Sequence, residues 1–164
     1  GVTSNHGQNR SGKQSLTTEE LDNLDLQILE QVGDLAYESS YKNIKVVVPD
    51  SPHLLLEVKG YLMGFTHGHL AYGSGTPAKK IENWWKGQMF GSNNEGENPV
   101  GFARCLIHGH YHHFTAVQQG GRTIMGVPAM SPYDDFQTRT GYSTSMGVVT
   151  MTVTKDGWDN LKIL

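Results

Sequence analysis

Two apolar segments of strand length each lead directly into a cluster of histidines. Residues 61–66 precede the His-Gly-His of residues 67–69, and residues 102–107 precede the His-Gly-His-Tyr-His-His of residues 108–113. These clusters hold six of the eight histidines in the chain. Neutral imidazole is the commonest protein ligand for metal ions, and loops at strand ends can aim such ligands while the sheet fixes their base. The pattern predicts a metal site, with hydrolysis as its leading function.

Size and composition favour a single globular domain. The chain has 164 residues, of which 37% are hydrophobic, 18% are charged and 20 are glycine. This profile is typical of a loop-rich globular protein, and we expect residues 1–164 to form one domain. A formal net charge of −3 gives no global basic field for capturing long duplex DNA, but it does not exclude a nuclease whose metals supply the positive charge.

Cysteine usage and hydropathy bear on the compartment. Cys105 is the only cysteine, so no intramolecular disulfide can form and a reducing compartment is expected. It lies in an apolar run, which favours a buried, inert thiol over a nucleophile. No segment approaches the roughly 20 apolar residues of a membrane span, so we expect a cytoplasmic protein without a membrane partner. Because the chain begins with Gly1 and carries a motif near its start, we also expect a missing upstream region.

Periodicity and turn residues predict alternating helices and strands, followed by a run of strands. Apolar residues at helical spacing predict a helix over residues 18–38, with Thr17 and Thr18 as its caps. Pro77 predicts the first turn of a second helix, over residues 76–87. Strands are predicted over residues 44–48, 54–58, 61–66 and 102–108, and hairpins over residues 114–127 and 146–164. This order favours an α/β or α+β fold with a mixed sheet.

In the second histidine cluster, His110 and His112 stand at alternate positions after a predicted strand. Residues two apart in an extended backbone point the same way, so both imidazoles can face one cavity. Gly109 allows a close approach that a side chain would block. His113 has the opposite parity and is expected to pack or to face solvent. The alternative for this segment alone is a set of polar histidines on a strand edge.

The first cluster has the same form, a strand followed by His67, a glycine and His69. With the preceding Thr66 it also matches the opening of the T-H-x-H-x-D-H zinc motif of metallo-β-lactamase-like hydrolases. Residues 70–72 are Leu-Ala-Tyr, so the aspartate and third histidine of that motif are absent. This departure disfavours the metallo-β-lactamase alternative.

Three segments resemble, in the right order, the calcineurin-like metallophosphoesterases. That family carries D-x-H, G-D, G-N-H-[DE], a histidine after a strand, and G-H-x-H. Asn5 and His6 resemble the third motif, His67 the fourth, and residues 109–112 (Gly-His-Tyr-His) the fifth. The Ser-Asn-His-Gly, Trp-Trp-Lys-Gly-Gln and His-Gly-His-Tyr-His-His-Phe segments further resemble a phage-type subgroup similar to DNA-repair exonucleases. The resemblance covers essentially the whole chain, which matches the C-terminal two-thirds of such an enzyme.

The resemblance implies a fold, a reaction and cofactors. The fold is a four-layer sandwich of two mixed sheets flanked by helices, here without its N-terminal strands. The reaction is the hydrolysis of phosphodiester or phosphomonoester bonds by a metal-activated water, with DNA as an expected substrate class. The cofactors are two divalent metal ions, with Mn expected first and Zn, Fe or Ni as alternatives.

The resemblance also implies a role for each histidine of the motifs. The first metal ion is bound by Asn5, His67 and His110, and the second ion is bound with the help of His112. His6 lies beside the phosphate, where it stabilises developing charge or protonates the leaving oxygen. His69 and His108 are candidates for orienting a ligand or a phosphate oxygen, with a packing role as the alternative.

The sequence departs from the family at two points. No D-x-H and no suitable G-D precedes Asn5, so the aspartates that bridge the two metal ions are missing. Gly7 stands where the family usually has an acid that orients the histidine. The alternatives are therefore a catalytically incomplete fragment or a non-catalytic, histidine-rich module for metal binding or interaction. Loss of N-terminal strands would also expose a sheet edge, through which a homo-oligomer could form.

Overall fold

The computed structural model describes residues 1–11, 14–15, 22–40, 42–91, 100–131 and 145–164. The chain forms two units, Gly1–Leu54 and Leu55–Leu164. The expectation of a single domain over the whole chain stays a prediction. Among the described residues, no helix is both long and apolar enough to cross a bilayer.

The main element of the first unit is helix α1, over Leu24–Glu38. Asn23 caps its N-terminus: the backbone of Asn23 is extended, and its side-chain oxygen accepts a hydrogen bond of 2.9 Å from the amide of Asp25. The predicted helix is thus confirmed over Leu24–Glu38, and the extended backbone of Asn23 marks the start of this described helix. Thr17 and Thr18, the predicted caps, lie outside the described residues.

The rest of the first unit contains little regular structure in its described part. Two short strands, β1 (Arg10–Ser11) and β2 (Gln14–Ser15), form an antiparallel pair. The prediction of a strand over residues 44–48 is wrong, since these residues belong to none of the described strands. A β-branched run forms a strand only where a neighbour takes up its backbone hydrogen bonds. Here the carbonyl of Val47 instead accepts a hydrogen bond of 2.8 Å from the amino group of Gly1.

A five-stranded mixed sheet runs through the second unit, which confirms the predicted mixed α/β character. Its strands are β3 (His53–Val58), β4 (Tyr61–Thr66), β5 (Cys105–His108), β6 (Thr115–Gln119) and β7 (Arg122–Gly126). Their order in the sheet is β3-β4-β5-β7-β6. Strands β4, β5 and β7 are parallel, and β6 runs antiparallel to β7. Strand β5 begins later than predicted, because residues 100–102 form a 3-10 turn.

Helix α2 (Pro77–Gly91) covers one face of the sheet. Ile81 and Trp85, which lie one helical turn apart, are buried in a cluster with Leu106 of β5 and Ile124 of β7. The indole nitrogen of Trp85 donates a hydrogen bond of 2.9 Å to a backbone carbonyl in the 3-10 turn, which ties that turn to the helix. The predicted helix is confirmed, and it ends four residues later than expected.

A C-terminal hairpin, formed by β8 (Val149–Thr154) and β9 (Gly157–Ile163), covers the other face. Cys105 neighbours Leu106 on β5 and therefore points to the opposite side of the sheet. There it is fully buried in a cluster to which Trp158 of the hairpin contributes. Burial raises the pKa of the Cys105 thiol to about 11. The expected burial of the single cysteine is confirmed.

The parallel strands of the sheet end level with one another. In the ladder Thr66 lies opposite His108, and His108 lies opposite Gly126. The loops that follow β4 and β5 therefore leave the sheet at the same edge, where open α/β sheets commonly bind ligands. Strand register thus brings together two histidine clusters that are far apart in sequence.

Candidate metal centre

Three imidazole rings from two loops form a cluster at this edge of the sheet. His67 and His69 follow β4, and His110 follows β5. The ring centroids of His67 and His110 are 5.1 Å apart, and those of His67 and His69 are 5.4 Å apart. The centroids of His69 and His110 are 6.4 Å apart. His67 is therefore the central ring, and all three side chains are partly buried.

Two of the three ring pairs have the spacing expected for imidazoles that bind the same cation. Two imidazoles that bind one tetrahedral ion through nitrogens about 2.1 Å from it have centroids roughly 5 Å apart. The two pairs that include His67 match this spacing, and the third pair is wider. Within the part of the chain that the structure describes, no group of three or more His, Cys, Asp or Glu side chains is placed to hold a metal ion. His67 and His110 thus form a pair of neighbouring imidazoles, and the described residues place no third His, Cys, Asp or Glu beside them for a metal ion.

The side chains of the two loops suit a single Zn, Fe or Ni ion better than two metal ions bridged by a carboxylate. Residues 67–76 and 109–114 contain histidines but no Asp or Glu. Imidazole suits Zn, Fe and Ni, whereas Mn prefers carboxylate, carbonyl and water oxygens. The loops alone therefore fit a single Zn, Fe or Ni ion, and Mn or a second ion requires oxygen donors from elsewhere.

His110 and His112 both have a left-handed backbone, with φ of 68° and 58°. The prediction that they continue an extended strand with alternating side chains is wrong, because the ladder ends at His108 and the chain turns. Within that turn the amide of Tyr111 donates a hydrogen bond of 2.8 Å to the carbonyl of Gly109. A left-handed residue other than glycine costs about 1 kcal/mol or more, and such strain concentrates at functional sites. His112 stays the predicted ligand of a second ion.

His108 is buried on the helix side of the sheet, with only 2% of its surface exposed. Its Nδ1 lies 3.0 Å from the carbonyl oxygen of Gly109, so Nδ1 is the protonated nitrogen and donates. Its Nε2 is a buried acceptor without a hydrogen-bond partner among the described residues. Burial lowers the pKa of His108 below its ordinary value; the bond to Gly109 opposes this effect, and nearby His113 adds to it. The role of His108 in orienting a ligand or substrate stays a prediction.

Two residues that the sequence did not single out surround His108. A Cβ atom on Gly126 would lie 3.1 Å from Cε1 of the His108 ring and 3.1 Å from the carbonyl oxygen of His113. Glycine at this position therefore makes room for the buried imidazole. The ring of Tyr111 packs near two histidines, with its centroid 5.9 Å from that of His108 and 4.9 Å from that of His110. Tyr111 also packs against the helix-side core, so it fixes the loop to the sheet.

Asn5 and His6 lie in the first unit, on a loop that contacts the N-terminus of α1. The side-chain amide of Asn23 donates a hydrogen bond of 2.8 Å to the carbonyl of Ser4, which anchors the loop to the helix cap. His6 is exposed and Asn5 is partly buried. The structure thus groups His67, His69 and His110, while the roles of Asn5 and His6 stay predictions.

No protein-family model matches the sequence, and no curated protein matches it. Among solved structures, wild-type Vps29 complexed with zinc from Entamoeba histolytica is similar over 60% of this chain and 44% of that chain, with 14% identity and a TM-score of 0.40. A single mutant of the same Vps29 is similar over 89% of this chain and 82% of the other, with 12% identity and a TM-score of 0.43.

A conserved uncharacterized protein from Streptococcus pneumoniae, described as a predicted phosphoesterase, is also similar. The match covers 81% of this chain and 84% of that chain, with 16% identity and a TM-score of 0.37. In the zinc-bound Vps29 comparison, this chain spans less than half the length of the other protein.

Proposed function

We propose that the chain is a metal-dependent phosphoesterase whose first metal ion is bound by His67 and His110. The observation that carries this proposal is the 5.1 Å separation of these two rings, which project from loops at the ends of adjacent parallel strands. Two imidazoles at such a spacing can bind one ion. The left-handed backbone of His110 further supports a functional role, because backbone strain concentrates at functional sites.

The proposed chemistry divides between the bound metal and the side chains of this chain. A bound metal ion would supply positive charge to the phosphate and lower the pKa of a bound water towards neutral. His67 and His110 would hold it, with Asn5 as the proposed oxygen ligand, and His112 would help to hold a second ion. His6 stabilises the charge on the phosphoryl group or protonates the leaving oxygen.

The finer features of the proposal follow from the motif resemblance. The substrate is a phosphodiester or a phosphomonoester, with DNA as the proposed class and a phage-type exonuclease as the proposed relative. The proposed fold is the four-layer sandwich, of which the five-stranded sheet, helix α2 and the C-terminal hairpin would form a part. Mn is the metal proposed from the resemblance, with Zn, Fe or Ni favoured by the imidazole donors of the two loops. Cytoplasmic location and a homo-oligomer formed through a sheet edge stay predictions, and sedimentation velocity measures the latter.

A second candidate function is metal binding without hydrolysis, in an incomplete enzyme or an interaction module. One observation favours it: neither histidine loop carries a carboxylate. A pair of ions that clamps a phosphate needs ligands for both ions, and imidazoles of the two loops suit only the first.

Hydrolysis of bis(p-nitrophenyl) phosphate with added Mn²⁺ or Zn²⁺ tests the proposal. We expect turnover by the wild type and a loss of at least about tenfold in His110→Ala, because the variant lacks one of two ligands. His53→Gln is the matched control, since His53 lies at the start of β3, outside both loops. Metal binding without turnover would support the second candidate, and turnover that His110→Ala leaves unchanged would overturn the proposed site.

A further inference from the structure

Asp25, in the first turn of α1, holds the loop that carries Asn5 and His6. Its carboxylate Oδ2 accepts two hydrogen bonds from Ser4, at 3.0 Å from the backbone amide and at 2.5 Å from the hydroxyl. Both donors of Ser4 thus end on one charged oxygen, and hydrogen bonds to a charged acceptor are about twice as strong as neutral ones. Ser4 and Asp25 are 21 residues apart, so this contact joins two separate segments.

The hydroxyl of Ser4 also contacts the backbone of the segment that contains His6. While it donates to Asp25, its oxygen accepts hydrogen bonds from the amide of His6 at 3.1 Å and from the amide of Gly7 at 3.4 Å. The carboxylate fixes the direction of the hydroxyl proton, which leaves the oxygen lone pairs facing these two amides. The hydroxyl of Ser4 therefore links Asp25 to the backbone amides of His6 and Gly7.

Gly7 makes the close approach between loop and helix possible. A Cβ atom on Gly7 would lie 2.0 Å from Oδ1 of Asn23 and 2.6–2.7 Å from the carboxylate of Asp25. The carboxylate of Asp25 thus lies in the direction that a side chain at position 7 would take. The carbonyl of Gly7 also accepts a hydrogen bond of 2.9 Å from the amide of Leu24, the first residue of the helix.

We propose that Asp25 is the positioning residue for the Asn5–His6 segment: from the start of α1 its carboxylate holds Ser4, whose hydroxyl in turn holds the amides of His6 and Gly7. Asp25 acts through Ser4 and is not itself a catalytic residue. The helix favours this arrangement, because negative charge in a first turn is stabilised by the helix dipole. The inference rests on the proposed function only in the role given to His6, since the contacts around Asp25 are independent of that role.

The first experiment measures amide hydrogen exchange by NMR in the wild type, Asp25→Ala, Asp25→Asn and Asp22→Ala. We expect exchange at His6 and Gly7 to rise at least about fivefold in Asp25→Ala, since one or more hydrogen bonds of ordinary strength are lost. Asp25→Asn retains an acceptor without the charge and should give a smaller rise. Asp22→Ala is the matched control, because it removes the same charge near the same helix end and Asp22 lies outside the Ser4 contacts. Unchanged exchange at His6 and Gly7 in Asp25→Ala overturns the proposal.

The second experiment asks whether Asp25 acts through the histidine segment, with bis(p-nitrophenyl) phosphate as substrate. We expect Asp25→Ala to lower kcat about tenfold or more with a smaller change in KM, because a displaced proton donor impairs the chemical step. In a His6→Ala background the same substitution should have no further effect, whereas independent structural damage would add to the loss. Additive losses overturn the positioning role. If the wild type shows no turnover with any metal, the proposed function fails, and amide exchange alone then decides the role of Asp25.

Discussion

The rings of His67 and His110 lie 5.1 Å apart, although 43 positions separate the two residues in the chain. The register of the sheet produces this proximity: Thr66 pairs with His108 across the parallel strands β4 and β5, so both loops begin at the same level. Because the parallel strands end level with each other, the loops that follow them lie side by side. The ring of His69 lies farther from that of His110. His67 is therefore the residue common to both close ring pairs.

Substitutions at His110 should separate backbone strain from ligand chemistry. His110 has φ of 68°, where glycine is unstrained and other residues are not. We expect His110→Gly to be more stable than His110→Ala by about 1 kcal/mol, while both lose metal affinity equally. Urea denaturation of the metal-free variants measures the difference. Equal stability of the two variants would show that the backbone relaxes at this position and stores no strain.

Glycine should be required at Gly126 but not at Gly87. A Cβ atom at Gly126 would meet Oγ1 of Thr115 at 2.6 Å and the ring of His108 at 3.1 Å, whereas a Cβ atom at Gly87 would meet nothing within 4 Å. We expect Gly126→Ala to cost about 1–3 kcal/mol through overpacking. Gly87→Ala, in the exposed interior of α2, should instead stabilise the protein by about 0.5–1 kcal/mol. Chemical denaturation measures both, and a neutral Gly126→Ala would contradict the tight packing around His108.

Stability should fall on the acid side because of His108. Burial lowers the pKa of His108 in the folded protein below 6.5, its ordinary value, so the unfolded chain takes up the proton first as the pH falls. The stabilising contribution is therefore fully present above about pH 6.5 and is lost as the pH falls towards the folded pKa. We expect the free energy of unfolding of the metal-free wild type to exceed that of His108→Gln by less at pH 5 than at pH 7.5. An advantage that does not change with pH would contradict the burial of a neutral imidazole.

The strands that carry the candidate site could be predicted from the sequence because their signals are local. Apolar runs bounded by turn residues gave β4 and β5, and each strand ends next to its histidine cluster. The start of α1 could also have been predicted better, since Asn23 followed by Asp25 is a typical N-cap with an acid in the first turn. Thr17 and Thr18 gave a competing signal of the same kind, which placed the predicted start too early.

Other features depend on contacts that no local pattern reports. Residues 44–48 have high β propensity, but propensity describes how residues fit a sheet and not whether a partner strand is present. The left-handed backbone of His110 and His112 could not be predicted, because glycine and asparagine are the usual signals of positive φ. The contact between Asp25 and Ser4 joins segments that are far apart in sequence, so only the fold reveals it.

We propose that His67 and His110 bind one divalent metal ion together. Isothermal titration of the metal-free protein with Zn²⁺ and with Mn²⁺ tests it directly, using the wild type, His67→Ala, His110→Ala and the control His53→Gln. We expect saturable binding by the wild type and the control, and a loss of affinity of at least about tenfold in either loop variant. Binding that both loop variants retain unchanged, or no saturable binding by the folded wild type, would contradict the account.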